Sequence, residues 1–95
     1  MYEITTSIYT KAAERLCDAV GSRSYFSGSL EFTVGDTECR LVASLIVRHK
    51  QIEMPEGIVE QISGLIPIWW EFHTTVDGEE LINDFDLRTL EEFIF

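Results

Sequence analysis

The sequence predicts a single α+β domain over residues 1–95, built as α-ββ-α-ββ-α: two antiparallel β-hairpins forming one four-stranded sheet, with an N-terminal, a short middle and a C-terminal helix. Three observations predict it. Apolar residues recur at helical spacing near both ends of the chain, two internal stretches alternate with a period of two, and each alternating stretch is broken by a glycine-containing turn dipeptide. A hydrophobic content of 45% with 25% charged residues is that of an ordinary globular domain, with no low-complexity tract.

In the first element Ile8, Tyr9, Ala12, Ala13, Leu16, Cys17 and Val20 share one side, and Lys11, Glu14, Arg15 and Asp18 take the other. This is an amphipathic helix over about Ser7 to Val20. Thr6 or Ser7 can cap its start, and Gly21 can end it.

The next stretch places Phe26, Leu30, Phe32 and Val34 on one face and Tyr25, Ser27, Ser29, Glu31 and Thr33 on the other. Gly35-Asp36 suits a two-residue type II′ turn, because glycine takes the positive φ of the first position. Such a turn sets Val34 opposite Thr37 and so fixes the register. Phe32 then meets Cys39, Leu30 meets Leu41, Gly28 meets Ala43 and Phe26 meets Leu45, while Glu31 meets Arg40 on the other side. Gly28 opposite Ala43 leaves a low spot in which the first helix can approach closely.

Beyond His49, Pro55 followed by Ile58, Val59, Ile62, Leu65 and Ile66 fits a short helix closed by Gly64 and Pro67. An irregular crossover is the alternative, since Gly57 and Gly64 each weaken a helix by about 1 kcal/mol. Alternation returns over Ile68–Val76. Asp77-Gly78 is a strong hairpin signal, and the chain then runs back through Glu79–Phe85. Asp86 can cap a closing helix whose apolar stripe is Leu87, Leu90, Phe93 and Ile94.

Charge is distributed unevenly. Residues 1–50 carry six acids and six bases, whereas residues 51–95 carry eleven acids against Arg88 alone, which accounts for the net charge of -10. An acidic half repels nucleic acid and anionic membranes and attracts cations or a basic protein surface. The longest uncharged apolar run, Ile62–Trp70, is too short to cross a membrane, and no basic-then-apolar leader pattern opens the chain, so a cytoplasmic protein is expected. Cys17 and Cys39 lie within apolar patterns and read as reduced, buried thiols.

Two constellations carry chemical interest. A tight Asp77-Gly78 turn pairs Thr74 with Leu81, Phe72 with Asn83 and Trp70 with Phe85 inside, and Glu71 with Asp84, His73 with Ile82 and Trp69 with Asp86 outside. Glu71, His73 and Asp84 would then be candidate ligands for a divalent ion, or an acid pair of raised pKa for metal-dependent hydrolysis; the plainer reading is three solvated side chains on an acidic face. Trp69 and Trp70 must point to opposite faces, and a two-layer domain has one core face. With Trp70 inside, the outer face would hold Trp69, Tyr25, Val42, Ile46 and Ile82, too apolar to remain uncovered by either another layer or a second molecule.

No nucleophile elbow, P-loop, dinucleotide fingerprint or H-E-x-x-H motif occurs, so no catalytic residue and no cofactor is assigned. The bases of the first half are interspersed with acids and form no nucleic-acid stripe. The segment Ile66-Pro67-Ile68-Trp69-Trp70-Glu71-Phe72-His73-Thr74, with Asp77-Gly78-Glu79-Glu80 and Asn83-Asp84-Phe85, resembles short uncharacterised bacterial proteins of mobile elements or phage. That resemblance spans about the last 30 residues and implies no activity.

The leading expectation is a noncatalytic interaction protein that docks on a basic partner through Trp69, Glu71, Glu79, Glu80, Asp84, Glu91 and Glu92. One version is a nucleic-acid mimic whose carboxylates stand in for phosphates. The alternatives are the metal site at the second hairpin and a structural homodimer formed through the outer sheet face.

Overall fold

Thr5 opens the first helix: its hydroxyl accepts the Ile8 N–H at 3.2 Å, one residue earlier than the caps the sequence offered. In this computed structural model, which describes residues 1–95, helix α1 spans Thr6–Val20. It ends as expected at Gly21, whose positive φ lets its N–H reach the Cys17 carbonyl at 3.0 Å. The Arg23 guanidinium folds back to donate to the last carbonyls, Ala19 and Val20.

Four strands follow, β1 (Tyr25–Val34), β2 (Thr37–Met54), β3 (Gly57–Val76) and β4 (Glu79–Leu81), then helix α2 (Leu87–Glu92). They form one antiparallel sheet in sequential order β1-β2-β3-β4. The first hairpin has the register its turn dictates, Val34 opposite Thr37 through Tyr25 opposite Ile46. Gly28 does face Ala43, but the atom nearest to a Cβ there would be the Phe26 ring at 3.9 Å. The helix does not close over this spot, and Gly28 stays exposed.

The largest departure from the sequence reading is the middle helix, which does not form. Its residues extend β2 and β3 into an arm: Val47–Met54 pairs with Gly57–Leu65 around a Pro55-Glu56 turn. β1 stops opposite Ile46 and β4 pairs only Thr74–Val76, so the arm is a two-stranded ribbon. It stretches the molecule to 47 × 26 × 18 Å. Two register shifts, at Ser44/Leu45 and Arg48/His49, leave Ile68 and Ser63 as extra residues in β3.

The arm's base is tied to the body. Val47 N–H donates to the Ser24 carbonyl at 2.8 Å, and the His49 ring bridges the Arg23 carbonyl at 2.6 Å and Glu60 at 3.3 Å. Val47, Ile62 and Leu65 are buried with α1's Leu16 and Val20 in the core cluster. From Gln51 to the tip and back to Gln61, no side chain is buried.

β4 is also shorter than the expected Glu79–Phe85. After Leu81 the chain leaves β3 to meet the N-terminus, where Tyr2 forms a parallel bridge with Asn83. Tyr2 N–H donates to the Ile82 carbonyl at 2.7 Å and Asp84 N–H to the Tyr2 carbonyl at 3.2 Å. The Tyr2 and Thr37 hydroxyls share a 2.6 Å hydrogen bond. Asn83 steadies the departing chain, donating to the Phe72 carbonyl and accepting from Phe85 N–H, both at 3.0 Å.

Both helices pack on one face of the sheet. Ile8, Leu16, Leu41, Leu45 and Leu90 are fully buried there, each stabilising the fold by about 1.5–3 kcal/mol through lost apolar exposure. Phe85 stacks on Phe72 at 3.9 Å and on Tyr9 at 5.1 Å, which links α1, β3 and the segment before α2. Asp86 caps α2 by accepting the Arg88 N–H at 3.3 Å, but the helix ends at Glu92, with Phe93 and Ile94 beyond it. No helix is long and apolar enough to cross a membrane.

Candidate functional site on the open sheet face

The second face of the sheet has no layer over it. Alternation sends every second residue of β1–β3 outward, and the ladder stacks those residues into rows. Starting at the turn end, Thr33–Glu38–Thr75 is followed by Glu31–Arg40–His73 and then Ser29–Val42–Glu71. Next comes Ser27–Ser44–Trp69, and the face closes on the apolar row Tyr25–Ile46–Ile66.

Trp69 is 47% exposed in this face, and Tyr25, Ile46 and Ile66 beside it are exposed as well. Trp70 points inward, edge-on to Phe85 at 5.6 Å. The paired tryptophans therefore divide as strand geometry requires, and nothing in the chain covers Trp69. Ile66 escaped the sequence reading because it was assigned to a helix. The bulge at Ile68 sets Ile66 on the same side as Trp69, three positions away, where unbroken alternation would have put them on opposite sides.

At the other end of the face His73 lies between two carboxylates. Its Nδ1 is 2.8 Å from Glu80 Oε1 and its Nε2 is 3.1 Å from Glu71 Oε2. The geometry follows from the hairpin: Glu71 and His73 are two apart on one strand, and Glu80, opposite Thr75, is the diagonal neighbour of His73. A ring protonated on both nitrogens satisfies both carboxylates, whereas a singly protonated ring satisfies one. Beside them Glu31, Glu38, Arg40, His73, Thr75 and Glu80 border a depression of about 440 Å³.

The metal constellation does not assemble. Asp84 accepts the Ile4 N–H at 2.8 Å and is held at the N-terminal bridge, because β4 ends before it can face Glu71. Asp86 does not face Trp69 either, since it caps α2. No group of three or more His, Cys, Asp or Glu residues is placed to hold a metal ion. Nor is any buried side-chain polar atom left without a hydrogen-bond partner.

The partner-binding candidates are only partly brought together. Trp69, Glu71 and Glu80 lie on the open face, whereas Glu79 opens β4 opposite Val76 and so takes the helical side, Asp84 is held at the N-terminal bridge, and Glu91 and Glu92 belong to α2 in the helical layer. Sequence reasoning missed the participation of Glu31, Glu38 and Arg40 in the depression beside His73, although the first hairpin's register had already placed Arg40 opposite Glu31. Comparison with protein-family models, curated proteins and solved structures found no match.

Cys39 is among the residues around the depression but is buried in the core beneath it. Burial pushes the Cys39 thiol up to about 11. Cys17 is only partly buried, and its thiol is raised first by desolvation and then by the charge of Asp18.

Proposed function

We propose that the protein is a noncatalytic interaction module whose open sheet face docks on a basic protein surface, with Trp69 as the apolar anchor and Glu71 and Glu80 as the charged rim. The observation that carries this reading is the exposure of Trp69 on a face where Glu31, Glu38, Glu71 and Glu80 form no ion pair with a lysine or arginine, the bases of that face being Arg40 and, along the arm, Arg48 and Lys50. The carboxylates in contact with a basic side chain, Glu60, Glu71 and Glu80, all contact a histidine. Arg40, though opposite Glu31 in register, makes no ion pair with it.

An exposed tryptophan rimmed by charge is the arrangement in which interfaces concentrate binding energy. Carboxylates add speed and selectivity by steering a cationic partner. Mimicry of nucleic acid asks for Glu91 and Glu92 on the same side as Glu71 and Glu80, and α2 holds them in the other layer. The open face alone is therefore the better candidate.

Affinity capture from a cell lysate on the immobilised protein, eluted in rising steps of NaCl, tests the reading. The expected proteins are basic, leave in moderate salt, and are lost on Trp69→Ala, which should weaken binding by about 2 kcal/mol or more if Trp69 is the anchor. Capture of neutral or acidic proteins, or retention indifferent to salt, would count against it.

A further inference from the structure

β1 is a long sheet edge that the fold leaves unguarded, whereas β2's own free edge beyond Ile46 carries Arg48, Lys50 and Glu53. On the opposite side, the β4 end of the sheet is closed by the Tyr2 bridge, and β3's free edge carries Pro67 and the extra residues Ser63 and Ile68. Proline, bulges and covering segments are the devices by which sheets prevent edge pairing. β1 has none of them. It is ten residues long, pairs with β2 without a register shift, and contains no lysine, no proline and one charge, Glu31.

The hydrogen-bond accounting agrees. β1 sits at the end of the strand order, and no backbone hydrogen bond outside the regular ladders, and no side-chain bond to the backbone, reaches a β1 peptide group. Half of its N–H and C=O groups thus point away from β2 with no protein partner.

We propose that β1 pairs antiparallel with β1 of a second copy about a two-fold axis at Ser29, making one eight-stranded sheet across a homodimer. Charge identifies a second copy as the occupant. α1, the connecting loop and β1 carry three acids (Glu14, Asp18, Glu31) and three bases (Lys11, Arg15, Arg23), so this side is neutral while the rest of the chain carries the net charge of -10. Two copies meeting here keep their acidic edges at the far ends of the joint sheet.

Pairing about Ser29 is also self-complementary. Phe26 of each copy faces Phe32 of the other on the helical side, as aromatic cross-strand pairs favour, and Leu30 faces Gly28. On the open side Tyr25 faces Thr33, Ser27 faces Glu31, and no charged residue faces its own image. The interface uses an edge and leaves Trp69 free, so it does not depend on what docks at the open face.

Sedimentation equilibrium over a concentration series tests the proposal. The native chain is expected to reach twice its mass of 10.9 kDa. Ser29→Lys sets two ammonium groups face to face at the axis and should weaken association by about fivefold or more, whereas Gln61→Lys, the same charge change on the arm, should leave it unchanged. Circular dichroism melts of both variants confirm that the monomer stays folded, as expected for exposed positions. A native chain that is monomeric at about 1 mM, or a Ser29→Lys variant that associates as tightly as the native one, overturns it.

Discussion

At the scale of single residues, the sequence was most legible where a backbone rule leaves little choice. Gly35 and the pair Asp77 and Gly78 take the positive φ values that two-residue hairpin turns demand, so the facing pairs of the first hairpin and Thr74 opposite Leu81 follow from local chemistry alone. Asp84 was not legible in this way, because its partner is the N–H of Ile4, distant in sequence and outside any predicted element. Cys39 gives the residue-level prediction. The unfolded chain ionises this thiol near the ordinary 9.0, while burial holds it neutral in the folded chain to about 11. Below about pH 9 both states keep the proton and no stability is lost on this account. Between about 9 and 11 the unfolded chain releases a proton that the folded chain retains, so rising pH favours unfolding. Urea midpoints measured from pH 8 to 10.5 should therefore fall more steeply for the native protein than for Cys39→Ala. Equal slopes would mean that the thiol is not buried in this way.

At the scale of elements, both terminal helices and the first hairpin were legible, and the arm was not. The reason lies in the bulges. On the side of the arm continuous with the core, Ile58, Glu60 and Ile62 alternate as a strand should, but Ser63 is an extra residue and the next inward position is Leu65. Spacings of four and then three between Ile58, Ile62 and Leu65 imitate a helix although each belongs to an extended chain. Pro55, read as a helix start, instead opens the turn at the arm's tip, and Pro67 is tolerated because β3 has a free edge there. An isolated two-stranded ribbon is only marginally stable, and Ile58 at 65% exposure contributes nothing to the core. Replacing residues 51–60 with Asn-Gly should consequently shift the melting temperature by less than about 5 °C, since at most about 1 kcal/mol is at stake. Circular dichroism melts check this, and a large drop would show that the body depends on the arm.

At the scale of the whole molecule, the uneven charge seen in sequence becomes a matter of where each carboxylate sits. Glu53, Glu56 and Glu60 lie on the arm, Glu71 and Glu80 on the open face, Asp77 and Glu79 at the β3–β4 end, and Glu91 and Glu92 on α2. Periodicity within each element places such residues on a face, but how faces of different elements combine is set by tertiary packing, which is why the candidate set was only partly gathered. With a net charge of -10 and no lysine or arginine within ion-pair distance of a carboxylate, the dominant electrostatic term in the folded state is mutual repulsion. Salt screens that repulsion over a Debye length that shortens from roughly 20 Å near 20 mM to about 4 Å near 500 mM. A fold held by surface ion pairs would lose stability on this change, whereas this one should gain it. The melting temperature is expected to rise by about 3–6 °C between those NaCl concentrations, the equivalent of about 1 kcal/mol for a domain of this size. Glu79→Lys, which lowers the net negative charge by two at the exposed start of β4, should raise the low-salt melting temperature and flatten the salt response. NaCl is the appropriate salt, because sulfate strengthens apolar burial in any protein and would hide the distinction. A melting temperature that fell with NaCl would mean that favourable charge pairs outweigh the repulsion, and the unpaired carboxylates on which the docking proposal rests would be lost with it.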